Sequence, residues 1–153
     1  MIEGILEGRH NRGVVSFLKV LVCGSIGYGG VSRMKEVQSF LTRQGFSVID
    51  QTAAWMDYSE VKDFRGRRDL AERIVRRDLD AVEEADVVVA VCEAPSFGTA
   101  VEMFVAKQQG KKVVLFSEKE VRSPWPVRFS DRAATSVRDL LEVLRELTAS
   151  IKG

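Results

Sequence analysis

Asp86-Val-Val-Val-Ala-Val-Cys92 decides the fold. A strand with one wet face alternates apolar and polar residues. An unbroken β-branched run suits a strand covered on both faces, as in a parallel sheet. Its flanks agree. A helix is expected from about Arg68 to Ala85, with Leu70, Ile74, Leu79 and Val82 on one side. After the run comes a loop, Glu93-Ala-Pro-Ser-Phe-Gly98, then a helix from Thr99 to Gln109 stopped by Gly110, then a strand, Lys112-Val-Val-Leu-Phe116.

The same alternation extends outward. Lys19-Val-Leu-Val-Cys23 reads as a buried strand running into the glycine-rich turn Gly24-Ser-Ile-Gly-Tyr-Gly-Gly30. A helix follows over about Ser32 to Gln44, carrying Met34, Val37, Phe40 and Leu41 and ending at Gly45, and Phe46-Ser-Val-Ile49 is a second strand. Residues 51–66 have no clean period, with Trp55, Met56, Tyr58 and Phe64 scattered among polar residues, and read as a lid or binding loop. A second irregular stretch contains Ser123-Pro-Trp-Pro-Val127. Ser136 to Ile151 is a terminal amphipathic helix with Leu140, Leu141, Leu144 and Leu147 on one side.

Strand–helix alternation of this kind gives an α/β fold: a parallel sheet of four or five strands, right-handed crossovers and helices on both faces. Residues 18–153 form one domain. Met1 to Phe17 carries Glu3, Glu7, Arg9, His10 and Arg12 without a continuous apolar core, so it reads as an N-terminal extension and not a secretory signal. In such sheets ligands bind beyond the carboxyl ends of the strands. Two loops are expected there, Gly24 to Gly30 and Glu93 to Gly98.

Composition removes several functions. Basic and acidic residues number 23 and 22, so no electrostatic footprint for nucleic acid or an anionic membrane exists. No apolar stretch reaches the roughly 18 residues that span a bilayer. Cys23 and Cys92 form neither a CxxC pair nor a disulfide scaffold; they read as two buried thiols in a reducing, cytoplasmic setting, with a disulfide possible only if their strands are neighbours. The one histidine, His10, lies in the extension, so histidine-based catalysis has little to work with. There is no metal-ligand cluster, P-loop or redox motif, and no cofactor is expected.

Three features can carry chemistry. The glycine turn lets backbone N–H groups approach an anion, with the following helix adding a favourable dipole; a plain tight turn is the equal alternative. Asp78 is one of several helical carboxylates, alongside Asp69, Asp80, Glu83 and Glu84, and its spacing alone does not separate it from a solvated surface acid. In Pro95-Ser-Phe-Gly-Thr-Ala-Val-Glu102, Thr99 reads as a helix N-cap. Glu102 then either closes a capping box with Thr99 or faces the ligand crevice from the first turn.

Taken together, Cys23-Gly-Ser-Ile…Gly-Gly30, Asp78-Leu…Ala85-Asp-Val-Val-Val-Ala90, Pro95-Ser-x-Gly98…Glu102 and Gly110-Lys-Lys-Val-Val114 resemble the nucleoside 2-deoxyribosyltransferase family, over roughly Val20 to Phe116. Within it the resemblance is strongest to the 2'-deoxynucleoside 5'-phosphate N-hydrolases. The resemblance implies a flavodoxin-like three-layer sandwich and a double displacement. Glu102 matches the nucleophile that attacks C1' of the sugar, and Asp78 matches the second carboxylate, which protonates the departing base. Cys23, Gly24, Ser25, Ile26, Gly27, Tyr28, Gly29 and Gly30 match the substrate-binding loop, with Ser25 and the amides of Ile26 to Gly30 on the 5'-phosphate or 5'-hydroxyl. Ser96 matches a phosphate-contacting serine, and Gly98 the position beside the sugar. The family also implies a homodimer in which a partner loop completes the site, with Ser123 as the candidate contribution.

The substrate so implied is a (deoxy)nucleoside 5'-monophosphate. Base exchange by a deoxyribosyltransferase and a non-catalytic nucleotide-binding module are the alternatives. The sequence departs from the family in three places. The loop is one residue longer and has Gly27-Tyr28 where an arginine is usual, with Arg33 as a candidate replacement charge. Leu21 stands where a tyrosine is common, with Tyr28 as its candidate substitute. Gly98-Thr-Ala-Val-Glu102 replaces a more usual Gly-Val-Gly-Tyr-Glu. The terminus Ser150-Ile-Lys-Gly153 offers no aromatic or amide for base recognition, which favours hydrolysis over transfer.

Overall fold

All five residues of Val87–Val91 are buried, as a strand covered on both faces must be. This strand is central in a computed structural model that describes residues 18–26, 30–50 and 58–152. In chain order the elements are β1 (Lys19–Gly24), α1 (Gly30–Arg43), β2 (Ser47–Ile49), α2 (Arg68–Glu84), β3 (Val87–Val91), α3 (Phe97–Gln108), β4 (Lys112–Phe116), α4 (Pro124–Arg128), β5 (Arg132–Ala134) and α5 (Val137–Lys152). The expected readings of the 1–17 extension, of Gly27, Tyr28 and Gly29, and of Trp55 and Met56 lie outside the described residues.

The five strands are all parallel, in the order β2-β1-β3-β4-β5. This is the flavodoxin-like order, with its topological switch point between β1 and β3. Because side chains alternate across a strand, each strand feeds two cores. Val20, Val22, Val87, Val89, Val91, Val114 and Phe116 face one side, where Val37 and Leu41 of α1 and Leu140, Val143, Leu144 and Leu147 of α5 cover them. Leu21, Cys23, Val88, Ala90 and Val113 face the other, covered by Ala81 and Val82 of α2 and Met103 and Ala106 of α3. The result is three layers.

Two glycine stops form as the sequence indicates. Gly45 and Gly110 adopt φ 94 and φ 74. At the first, Phe46 N–H donates to the Leu41 carbonyl and Gly45 N–H to Thr42; at the second, Lys111 N–H donates to Ala106 and Gly110 N–H to Lys107. Both are Schellman endings, which need a left-handed residue at that point.

Other boundaries move. α1 starts at Gly30, two residues before the expected Ser32, and β2 is only three residues long. The irregular stretch after β4 holds a short helix, α4, and an edge strand, β5. β5 has no β-branched residue to announce it. It is pinned from outside: the Asp131 carboxylate accepts from Val113 N–H at 2.8 Å and from Lys107 Nζ at 2.6 Å. Among the described residues no helix is long and apolar enough to cross a membrane.

Candidate active site

The switch point places the ends of β1 and β3 side by side. Gly24 pairs with Val91, and a Cβ on Gly24 would lie 3.1 Å from the Val91 Cβ and 3.2 Å from Met34 Cγ. The glycine therefore lets β1, β3 and α1 close on one another. Gly30 is more constrained still. A Cβ there would sit 1.7 Å from the Ser25 carbonyl oxygen, so no side chain fits where α1 begins. Between these two glycines Ser25 is buried and Ile26 half-buried.

The two candidate carboxylates come from neighbouring helices on one face of the sheet. Asp78 lies one turn before Ala81 and Val82 on the sheet-facing stripe of α2, and its side chain is 15% exposed. Burial pushes its carboxyl up from 3.8 to about 6, against the pull of Arg77, whose guanidinium lies 3.9 Å away. Arg77 also donates to the Asp50 carbonyl at the end of β2.

Glu102 shares the buried stripe of α3 with Thr99, Met103 and Ala106 and is only 6% exposed. The capping-box reading of Glu102 does not hold. Ser96, not Thr99, is the N-cap of α3: its Oγ accepts from Thr99 N–H at 3.2 Å and from the Thr99 hydroxyl at 3.0 Å. The cap thus lies three residues earlier than expected, and Glu102 falls in the second turn of the helix, facing the sheet. Serine outranks threonine at N-caps, and that preference was the missed signal. Gly98 sits above the carboxylate; a Cβ there would stand 3.7 Å from Glu102 Oε1 and 4.0 Å from Ser96 Oγ.

Cys23 lies under the same two helices. It is fully buried at the end of β1, on the face that α2 and α3 cover. Burial first, then Glu102, Cys92 and Asp78, hold the thiol well above its ordinary range. Cys23, expected among the substrate-binding residues, has no exposed surface in the ligand-free fold. Both cysteines are free. Cys23 pairs with Ala90, so Cys92 lies two residues further along the neighbouring strand. That diagonal spans about 8 Å between Cα atoms, beyond the roughly 7 Å limit of a disulfide.

Arg33, the candidate replacement charge, is engaged by three carboxylates. Its Nε and Nη2 each donate to Glu93 Oε1 at 3.1 Å, Nη1 donates to Glu36 at 3.0 Å, and Glu118 lies 3.3 Å from Nη2. The guanidinium also rests 5.3 Å from the Phe116 ring centroid. It clamps the loops after β3 and β4 to α1, a role that sequence reading did not assign. Ser123 sits exposed at the start of α4, and among the described residues no hydrogen bond joins it to Asp78 or Glu102.

The sequence profile described as "Nucleoside 2-deoxyribosyltransferase" matches residues 23–133, a span that includes both carboxylates, Cys23, Ser96 and Gly98. The chain belongs to the nucleoside 2-deoxyribosyltransferase family. Solved structures of the same fold include a 2-deoxyribosyltransferase from Bacillus psychrosaccharolyticus, with TM-score 0.64 and 17% identity over 80% of this chain and 89% of that one. The CMP N-glycosidase of Clostridium botulinum aligns with TM-score 0.54 and 20% identity over 84% of this chain and 98% of the other. A conserved protein from Enterococcus faecalis V583 aligns with TM-score 0.54 and 18% identity over the same shares. No curated protein sequence matches the chain. Nucleoside 2-deoxyribosyltransferase family chemistry is enzymatic transfer or hydrolysis at the glycosyl bond of nucleosides and nucleotides.

Proposed function

We propose that this chain hydrolyses the N-glycosidic bond of (deoxy)nucleoside 5'-monophosphates, with Glu102 as nucleophile and Asp78 as acid–base partner. The observation that carries the reading is the burial of these two acids on the sheet-facing stripes of neighbouring helices, over one face of the sheet.

In the first step a Glu102 carboxylate oxygen bonds to C1' as the C1'–N bond breaks. The bonding pair leaves with the base, whose nitrogen takes the proton from Asp78. This is the retaining glycosidase scheme, in which a carboxylate traps an oxocarbenium-like centre as an ester. In the second step Asp78, now a carboxylate, accepts a proton from water as the water oxygen bonds to C1'. The Glu102 ester bond breaks and releases (deoxy)ribose 5-phosphate. A carboxyl titrating near 6 suits both duties near neutral pH. Ser25, the amides from Ile26 to Gly30 and Ser96 hold the 5'-phosphate in this reading, and Gly98 leaves room for the sugar beside Glu102.

The enzyme works as a homodimer in this account. α3 buries Glu102 on one face and exposes Phe97, Val101 and Phe104 on the other; Phe97 is 97% exposed. Beside them Trp125 is 63% exposed and stacks on Phe129, which meets Phe104 edge-on at 5.4 Å. A contiguous apolar surface of this kind supports a protein interface. Ser123 lies next to Trp125, at the rim of that surface.

Chromatographic measurement of base release, over a panel of nucleoside monophosphates and nucleosides, tests the hydrolase reading. Release from a monophosphate in water alone supports it. Turnover that requires an added acceptor base replaces it with base exchange, and tight binding with no release from any substrate replaces it with a binding module.

A further inference from the structure

The near-neutral balance of the whole chain hides an uneven distribution along α2. Its N-cap and first half carry Arg67, Arg68, Arg73, Arg76 and Arg77 against only Asp69 and Glu72. Its second half carries Asp78, Asp80, Glu83 and Glu84 and no base. This order runs against the helix dipole, which favours acids in the first turn and bases in the last. A helix that breaks a local rule along its length answers another demand. Nor do ion pairs cancel the basic half. Arg68 meets Glu72 at 3.4 Å and Arg77 meets Asp78 at 3.9 Å, but Arg67, Arg73 and Arg76 are exposed and have no ion-pair partner among the described residues.

Topology puts that half at the ligand edge. All strands are parallel, so α2 starts at the carboxyl edge beyond β2 and runs back to the amino edge where β3 begins. Both ends are tied down. Arg77 donates to the Asp50 carbonyl just past β2, and Asp86 N–H, just after the helix, donates to the Lys19 carbonyl at the start of β1. At 1.5 Å per residue the centres of the two halves lie roughly 13 Å apart. That exceeds the Debye length of about 8 Å at physiological salt, so the acids do not cancel the arginines at the carboxyl edge.

We infer that the basic half of α2 is a cationic rim that draws the substrate's 5'-phosphate to the carboxyl edge of the sheet. The inference rests on the nucleoside 5'-monophosphate reading and adds what that reading lacks. Ser25, Ser96 and the backbone amides carry no formal charge, Arg33 is engaged by three carboxylates, and the reacting groups are themselves acids. A phosphate monoester brings nearly two negative charges at neutral pH. Clustered arginines at the edge it must cross raise its local concentration and its rate of capture. The rim touches no reacting atom, so it selects phosphorylated over unphosphorylated substrates without a part in bond breaking.

The combined variant Arg67→Gln, Arg73→Gln and Arg76→Gln tests this; Arg77 is left in place because it pairs with Asp78. For a nucleoside 5'-monophosphate, kcat/KM should fall by about 10-fold at roughly 10 mM ionic strength and by no more than about twofold at roughly 0.5 M, with kcat unchanged. For the parent nucleoside kcat/KM should not change at either. Tm should hold or rise, since the lost charges opposed the dipole. A control with Arg43→Gln and Arg145→Gln, exposed positions on α1 and α5, should keep kcat/KM within about twofold. Wild-type kcat/KM for the monophosphate in the triple variant at low ionic strength overturns the inference, as do equal losses on monophosphate and nucleoside. A wild-type chain that releases no base contradicts the hydrolase reading instead. Calorimetric affinity for the monophosphate at low ionic strength then decides: weakening of about 10-fold in the triple variant supports the rim, and unchanged or absent binding overturns it.

Discussion

Asp78 and Glu102 stand on different helices, and both are turned toward the same face of the sheet, with side chains largely withdrawn from solvent. α2 delivers Asp78 along the stripe that also buries Ala81 and Val82, and α3 delivers Glu102 along the stripe of Met103 and Ala106. A sheet of order β2-β1-β3-β4-β5 puts those two helices side by side over the end of β1. That both acids face one side of the sheet is thus a consequence of topology.

Asp78 links activity to stability with opposite signs. Its carboxyl titrates at about 6 in the fold against an ordinary 3.8. The unfolded chain therefore releases this proton first as pH rises, and the native state loses stability between about pH 4 and pH 6. Asp78→Asn lacks this loss. Urea unfolding should show the variant gaining about 1–3 kcal/mol on wild type from pH 4 to pH 7 and nothing further above that. Base release by the same variant should fall by about 10²- to 10⁴-fold.

Ser96 is both the cap of α3 and a proposed phosphate contact, and the two roles separate by substitution. Ser96→Ala loses the bonds to Thr99 and should cost about 1 kcal/mol, or about 2–4 °C in Tm. Ser96→Asp keeps the cap and the Tm. If Ser96 also contacts the 5'-phosphate, the aspartate variant raises KM for monophosphates selectively over nucleosides, a result that parallel kinetics on both substrates would read.

Gly30 and Gly98 should respond in opposite ways to one methyl group. Gly30→Ala drives a Cβ into the Ser25 carbonyl, so the start of α1 must shift; a loss of at least about 2 kcal/mol in chemical unfolding is expected. Gly98→Ala meets only ordinary contacts and replaces a helical glycine. Its stability should hold or rise by about 0.5–1 kcal/mol. A loss of kcat/KM in that variant then reports the sugar side of the site and not the fold.

The proposed dimer rests on the outer face of α3 and on α4. Phe97→Asp and Trp125→Asp place charge in that apolar surface without touching the sheet. Sedimentation equilibrium should show both shifting to monomer at concentrations where wild type is dimeric, with Tm changed by no more than about 2 °C. A wild type that sediments as a monomer at every concentration contradicts the shared-site proposal.

Much of this was legible in the chain because the signals were long and redundant. The valine run of β3, the leucines of α5 and the glycine stops at Gly45 and Gly110 each carry several residues of agreeing chemistry. What failed was short. β5 spans three residues without a β-branched side chain, and an Asp131 contact with another strand fixes it. The cap of α3 turned on a choice between Ser96 and Thr99, which only the modest preference for serine separates. In the site, Asp78 had no local signal at all. Its neighbours Asp80, Glu83 and Glu84 look the same in sequence, and only the helical stripe shared with Ala81 and Val82 turns it inward. The pairing of Arg33 was hidden for a different reason: its partners Glu93 and Glu118 arrive from loops far along the chain.

Trapping the glycosyl-enzyme tests the central claim most directly. A 2-fluoro-substituted sugar analogue slows release of the ester by destabilising the oxocarbenium-like centre, so peptide mass spectrometry can locate the adduct. The account predicts one sugar per chain on the peptide carrying Glu102, no adduct with Glu102→Gln, and base release by that variant reduced about 10³-fold or more. An adduct on another residue, or undiminished base release by Glu102→Gln, would contradict it.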